Sequence, residues 1–483
     1  LNRNGRKEKT PISPRLQYSS TGRTRPLPYL TALFWYTYRI MITPRTLKGF
    51  RDFLPDVMLQ REWLLETATK VFRSYGFCPI DTPALEYLEI LQGKGSEETD
   101  KQLYHFTDHG NRQVGLRFDL TVPLARYTAQ HFPELTFPFK RYHIGKVWRG
   151  ENTQAGRYRE FTQCDFDAIG TSSLAADIEI ALVINDLLER IDLKTKQPFT
   201  RFKIRINNRK VLSGLLDKHD IADKTTPILR ALDKLGKIGK QAVLKEMTAV
   251  PTVGTAISET QAEAVLTLTE LTGTTEEMLS ALHPLLAGNP LGEEGIAELD
   301  ELMRSVRAAG LPENRIVLDL SIARGLDYYT GTIYETFLDD LPKIGSVCSG
   351  GRYDNLAGTY TKQALPGVGS SLGLDRLMAA MDELGMLEKR AVPVQVFMPF
   401  FAANHLADYL RFASELRRAG VGVEFYPEAK KLGQQLKYAD KRGFRWAIII
   451  GEDEWANGNC QIKDLQTGES VESSRAECLQ RNF

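Results

Sequence analysis

The sequence predicts an α+β protein: a sheet-based domain interrupted by helices, followed by a smaller α/β domain. Three observations carry this. Strand patterns at 141–149 and 160–169 flank a polar, glycine-containing stretch and read as a long antiparallel hairpin with a charged tip. Strand signals then stop between about 208 and 311, where Leu, Ala, Lys and Glu recur at helical spacing, and resume at 315–320. Beyond Pro393 the pattern alternates as β-α-β-α-β, which implies a small, partly parallel sheet with helical crossovers.

Taken in order, 56–75 reads as a helix, because Val57, Leu64, Leu65, Ala68, Val71 and Phe72 form one apolar face. It stops at Gly76, and a short strand, FCPID, leads to Thr82 and Pro83. Strands are expected at 113–118, 141–149 and 160–169, and a helix at 173–191. After the helical stretch come strands at 315–320, 331–338 and 345–349, then 367–371 running into a helix at 374–384. The last part reads as strand 394–399, helix 405–419, strand 422–426, helix 431–442 and strand 446–451. The tail VESSRAECLQRNF is polar, with no final strand expected. This divides the chain into residues 1–42, a sheet domain from 43–207 and 312–388, a helical insertion at 208–311 and a terminal domain at 391–483.

Composition narrows the classes. With 483 residues, 42% hydrophobic and 25% charged, the chain suits two or three globular domains. The net charge of +1 gives no bulk sign of a polyanionic partner, so a nucleic-acid surface must come from local clusters. One such cluster is 430–445, with Lys430, Lys431, Lys437, Lys441, Arg442 and Arg445 near Phe425, Tyr426 and Phe444. Cys78, Cys164, Cys348, Cys460 and Cys478 lack C-x-x-C spacing, which favours reduced thiols in a cytosolic setting. His105 and His109 lie in HFTDHGN, a turn between strands rather than a metal-bearing helix. Residues 1–40 hold eight Arg or Lys against Glu8 alone, and the run YLTALFWYTY is too short to span a bilayer. That start fits an organellar transit peptide, a disordered arm or sequence foreign to the natural product; the reading adopted starts the protein at Met41.

No P-loop, G-x-S-x-G or H-E-x-x-H occurs. Arginine instead stands beside glycine, aromatic and acidic residues in RFDLT (117–121), VWRGENTQAGRYREFTQCDFD (147–167), ARGLDYYTG (323–331) and GVGSSLGLDRL (367–377). In the hairpin, Arg149 and Gln163 can share a face with Asp165 or Asp167. A guanidinium binds phosphate or carboxylate through a planar fork and never loses its charge. The polar residues of ARGLDYYTG interrupt an apolar pattern and suggest a ligand-lined cavity. Arg376 falls at the start of a helix, where anions are favoured. Arg149, Arg324 and Arg376 together suggest a triphosphate site.

From about residue 43 to 468 the chain resembles the class II aminoacyl-tRNA synthetases, and within them the histidyl-tRNA synthetase family. TLKGFRDFLPD and the stretch through DTPALE look like the opening and the dimer-forming motif 1, with Pro83 at its end. VWRGENTQAGRYREF resembles motif 2, GVGSSLGLDRL motif 3, and ARGLDYYTG and SGGRYDNL the two histidine signatures. The resemblance implies a class II antiparallel-sheet catalytic domain with a helical insertion and a C-terminal α/β anticodon-binding domain. It implies ATP and L-histidine as substrates, Mg²⁺ with the ATP, tRNA-His as partner, a homodimer, no membrane, and a cytoplasmic setting, or an organelle if residues 1–40 are a transit peptide. Arg149 and Arg324 would be catalytic at the α-phosphate, Arg324 belonging to the histidine-binding set as well. Glu151, Arg157, Tyr158 and Arg376 would hold ATP with Arg149. Asp119, Thr121 and Gln163 would bind the α-amino group, Asp167 and Tyr329 the imidazole, with Tyr328 and Tyr353 as pocket walls. The chain has Asp-Leu-Thr where many bacterial members have Pro-Glu-Gly-Thr, and Asp167 where many have glutamate. The rival reading is a catalytically silent paralogue such as the regulatory subunit of ATP phosphoribosyltransferase, which typically lacks the ARGLDYY arginine and the C-terminal domain.

Overall fold

The computed structural model describes residues 42–92, 100–192, 202–249, 256–322, 329–387, 392–481 and 483. The basic segment 1–41 and the predicted site residues Arg324 and Tyr328 lie outside them. The first described helix, Pro55–Ser74, has proline in its first turn, where no N–H partner is needed, and Asp56 facing the positive end of the helix dipole. Its buried stripe, Leu64, Ala68, Val71 and Phe72, is the face that the sequence pattern marks.

The strands follow as β1 (Cys78–Pro79), β2 (Leu85–Tyr87), β3 (His105–Thr107), β4 (Gln113–Leu116), β5 (Phe139–Trp148), β6 (Glu160–Ile169), β7 (Phe202–Asn208), β8 (Ile316–Leu318), β9 (Thr332–Leu338), β10 (Cys348–Tyr353) and β11 (Gly367–Gly373). The main sheet runs β1-β5-β6-β11-β10-β9-β7-β8, antiparallel except for the outer pairs β1 with β5 and β7 with β8. A small sheet, β2-β4-β3, carries His105 in the expected turn-linked strand pair. Helices between Arg209–Lys218 and Pro290–Ala308 form the insertion between β7 and β8. They share one apolar core with the helices Pro55–Ser74, Leu174–Asp192 and Leu374–Glu383. Phe72 packs with its ring tilted against Phe166 at 4.9 Å and Tyr142 at 5.6 Å. Fully burying a side chain such as Phe166 contributes about 1.5–3 kcal/mol.

After Pro393 come β12 (Val396–Met398), β13 (Val423–Phe425), β14 (Trp446–Ile449), β15 (Asn459–Asp464) and β16 (Ser470–Ser474), with sheet order β13-β12-β14-β15-β16. The pairs of β12 with β13 and β14 are parallel, and the crossover helices are Leu406–Arg418 and Leu432–Arg442.

Three expectations are corrected. The strand expected at 345–349 is displaced to Cys348–Tyr353, so SGGRY is itself a strand; its glycines hide its alternation. The C-terminal tail has a strand after all: β16 pairs antiparallel with β15, its exposed Ser and Glu side chains masking the pattern. Phe444 is 3% exposed and packs on Phe397 at 5.3 Å, so it belongs to the core and cannot stack on a base.

Candidate active site

The site arises from strand register. β5 sets Arg141 opposite Asp167, His143 opposite Asp165 and Gly145 opposite Gln163. β11 sets Gly369 opposite Asp167, Ser371 opposite Asp165 and Gly373 opposite Gln163. β10 then places Gly351 opposite Gly369 and Ser349 opposite Ser371. Alternate side chains share a face, so these residues make one polar face. The intervening Tyr142, Cys164, Phe166, Leu372 and Cys348 join the apolar core behind it.

Glycine hollows that face. A Cβ on Gly351 would meet the Thr332 carbonyl oxygen at 2.7 Å and the Tyr329 ring at 3.0 Å. The resulting cavity, about 210 Å³, is lined by Asp119, Thr121, Gln163, Asp167, Tyr329 and Tyr353 among others. Asp119 Oδ1 accepts from the Thr121 and Val122 N–H groups at 3.1 and 2.9 Å, which fixes it at the start of the helix Thr121–Gln130. Gln163 Nε2 donates to Ser371 Oγ at 3.0 Å, leaving the buried Oε1 without a partner among the described residues. Tyr353, expected as a wall, also donates its hydroxyl to Asp167 Oδ1. Burial pushes the carboxyl pKa of Asp165 up to about 7, against the pull of Arg141. Burial likewise raises Asp167, opposed first by Arg141 and then by the Tyr353 hydrogen bond.

A second cavity of about 140 Å³ is lined by Arg149, Glu151, Arg157, Tyr158, Gly373 and Arg376. It shares Arg149, Gln163, Ser349 and Ser371 with the first, so the two adjoin. Arg149 is braced by the Phe118 carbonyl at 3.1 Å and by the Phe118 and Phe161 rings at 4.4 and 5.1 Å. Arg376 is the third residue of the helix Leu374–Glu383 and donates to the Ser346 carbonyl. Its neighbour Asp375 turns inward, accepting from Arg61 at 2.7 Å, Arg51 at 2.5 Å and the Thr162 N–H at 2.8 Å. Arg51 lies 3.2 Å over the Tyr158 ring and thereby ties the opening segment to the hairpin tip.

Of the predicted site residues, eleven fall in the described part, and all eleven line one or the other cavity. Sequence reading missed the parts of Arg141, Ser371 and Arg51. Arg141 had one available signal, since the hairpin register pairs it with Asp167.

An antiparallel sheet with an arginine at the end of a long hairpin and another at the first turn of the helix after a glycine-rich strand defines the catalytic domain of a class II aminoacyl-tRNA synthetase. The family model for histidyl-tRNA synthetase matches residues 49–377, and the anticodon binding domain model matches 392–481. The chain belongs to the histidyl-tRNA synthetase family. It is 59% identical to a histidine–tRNA ligase of Rhodopirellula baltica, over 89% of this chain and 95% of that protein. It is 46% identical to a histidine–tRNA ligase of Wolinella succinogenes, again over 89% of this chain and 95% of that one. The crystal structure of histidyl-tRNA synthetase from Nostoc sp. PCC 7120 superposes with a TM-score of 0.80 at 37% identity, covering 92% of this chain and 100% of that chain.

Proposed function

We infer that this chain is a histidine–tRNA ligase, activating L-histidine with ATP to histidyl-adenylate and transferring the histidyl group to the 3′ end of tRNA-His. The observation that carries the reading is the meeting of the two cavities at Arg149. One holds carboxylates and phenols suited to an amino acid with a polar ring, the other arginines suited to a triphosphate. In activation the histidine carboxylate attacks the α-phosphorus and pyrophosphate leaves. Two anions must approach, so a fixed guanidinium at the reacting phosphate lowers the barrier. Arg149 has that place in our reading, with Arg376 at the γ-phosphate and Glu151, Arg157 and Tyr158 around the nucleotide; Arg324, outside the described residues, is assigned to the α-phosphate by the family resemblance.

Gln163 Oε1, which has no partner among the described residues, suits an α-ammonium group together with Asp119 and Thr121. Asp167 and Tyr329 are assigned to the imidazole and Tyr353 to the pocket wall; Tyr328, outside the described residues, keeps the wall role that the family resemblance implies. A site that hydrogen-bonds both ring nitrogens discriminates strongly against apolar amino acids, which would leave its groups unpaired. Mg²⁺ enters this reading with the ATP substrate. The match of residues 392–481 to an anticodon binding domain favours a ligase over the silent-paralogue reading and supports tRNA as partner. The exposed Leu85, Tyr87 and Phe106 of the small sheet, beside the predicted motif 1, support a homodimer. No helix among the described residues is long and apolar enough to cross a membrane. A cytoplasmic setting suits the five free cysteines.

ATP–pyrophosphate exchange across the amino acids tests the reading. Exchange is expected with histidine; no exchange, or exchange driven by another amino acid, overturns it. Single-turnover adenylate formation tests Arg324: Arg324→Ala is expected to lose about 3–4 kcal/mol of transition-state stabilisation. Near-normal rates would remove it from the reaction.

A further inference from the structure

Arg141 is wholly buried and does not line the cavity, yet it sits directly behind the residue assigned to read the imidazole. Its Nη2 lies 2.8 Å from Asp167 Oδ2. The N–H does not point along that approach, so the contact is an ion pair rather than a hydrogen bond. Asp167 Oδ1 is taken by Tyr353 on the other side. We propose that Arg141 is the positioning residue that fixes Asp167 as the acceptor for the substrate's imidazole, and so sets the histidine specificity of the site without touching histidine. This rests on the reading of the first cavity as a histidine pocket.

The charges around Asp167 explain why such a residue is needed. From β6 comes Asp165, and ahead of the helix Thr121–Gln130 comes Asp119, both near enough to disfavour a further negative charge. β10 and the segment before β9 contribute the phenols Tyr353 and Tyr329, while β11 contributes the uncharged Gly369 and Ser371. From β5 come Arg141 and His143. His143 Nε2 lies 3.0 Å from Asp81, and Arg117 is close by. Burial, then Arg141 and Arg117, push the His143 pKa down to about 4, so the ring is neutral near pH 7 and supplies no charge. Among the described residues Arg141 is therefore the cation that opposes burial at both Asp165 and Asp167. Without it, burial and the neighbouring carboxylates drive Asp167 towards its protonated form. A protonated carboxyl offers a donor where the ring N–H requires an acceptor.

The sign of the pH effect follows. Removing Arg141 raises the Asp167 pKa, so the acceptor form is lost at low pH and returns as pH rises. The experiment is ATP–pyrophosphate exchange on the full chain from pH 6.5 to 8.5, with histidine and ATP varied separately. For Arg141→Met we expect a histidine KM raised roughly tenfold or more at pH 7 and falling by up to about tenfold per pH unit. The ATP KM should stay level. Arg141→Lys keeps the charge and should weaken histidine binding less, with a profile as level as the parent's. Asp167→Asn should weaken histidine binding without the slope, in either background. A level histidine profile in Arg141→Met, whatever the size of the change, overturns the proposal. If Arg141→Met does not fold, Arg141→Lys carries the test, and a sloping profile there overturns it. A parent protein that supports no exchange with histidine sinks the reading of the site instead, and the two failures are thereby distinguished.

Discussion

Replacing Gly369 by alanine adds one methyl group at the floor of the first cavity, the one assigned to histidine in our proposal, where the surroundings are fixed. The new carbon would sit 2.6 Å from the Phe166 carbonyl oxygen and closer still to the Asp167 carboxylate. Carbon and oxygen in contact ordinarily stand roughly 3.3–3.6 Å apart, so the carboxylate must move by about 1 Å. It cannot simply swing aside, because Arg141 and Tyr353 hold its two oxygens. A misplacement of about 1 Å in a positioning group costs on the order of 100-fold, or about 2.7 kcal/mol. The overpacked strands should also lose about 1–3 kcal/mol of stability. Gly373 in the same strand lines the second cavity and not the first, and a methyl there meets nothing nearer than 3.6 Å, so it serves as the comparison for the histidine KM alone, any change falling on ATP. The assay is ATP–pyrophosphate exchange with histidine varied, alongside thermal melts. Gly369→Ala should raise the histidine KM on the order of 100-fold, while Gly373→Ala should hold it within about 2-fold. Equal effects in the two variants, or an unchanged histidine KM in Gly369→Ala, would show that Asp167 does not read the substrate.

Three further outcomes are expected. Asp167→Ala should impair histidine use by about 2 kcal/mol or more, as unpaired buried polar groups do, with little change for ATP; titration of exchange against each substrate separates the two. Asp375→Ala strips Arg61 and Arg51 of their shared carboxylate and should destabilise the protein by about 3–5 kcal/mol, read by denaturant unfolding. Removing residues from Pro393 onward should spare histidyl-adenylate formation while sharply weakening tRNA charging; equal charging by the shortened protein would detach the basic cluster around the helix Leu432–Arg442 from tRNA.

Much of this molecule was open to reading from the chain alone, because the signals concerned are local. The helix Pro55–Ser74 follows from the spacing of Leu64, Ala68, Val71 and Phe72, and the proline and glycine near its ends delimit it. The hairpin β5–β6 follows from alternation, which puts Gln163, Asp165 and Asp167 on one face and Cys164 and Phe166 on the other. The sites for arginine at residues 149 and 376 follow from motif spacing and the start of a helix. Strand pairing across distant segments is not local, and that is where sequence reading stopped. Nothing in the order of residues states that Gly369 and Gly351 line up with Asp167 to open a cavity, or that the Tyr353 hydroxyl meets Asp167. Glycine and serine strands such as β10 and β16 carry no apolar alternation, so only their hydrogen-bonded partners reveal them. Phe444 looked available to a base until the packing of Phe397 enclosed it. The ionisation of Asp167 depends likewise on what burial removes and what Arg141 returns, and both are properties of the assembled sheet.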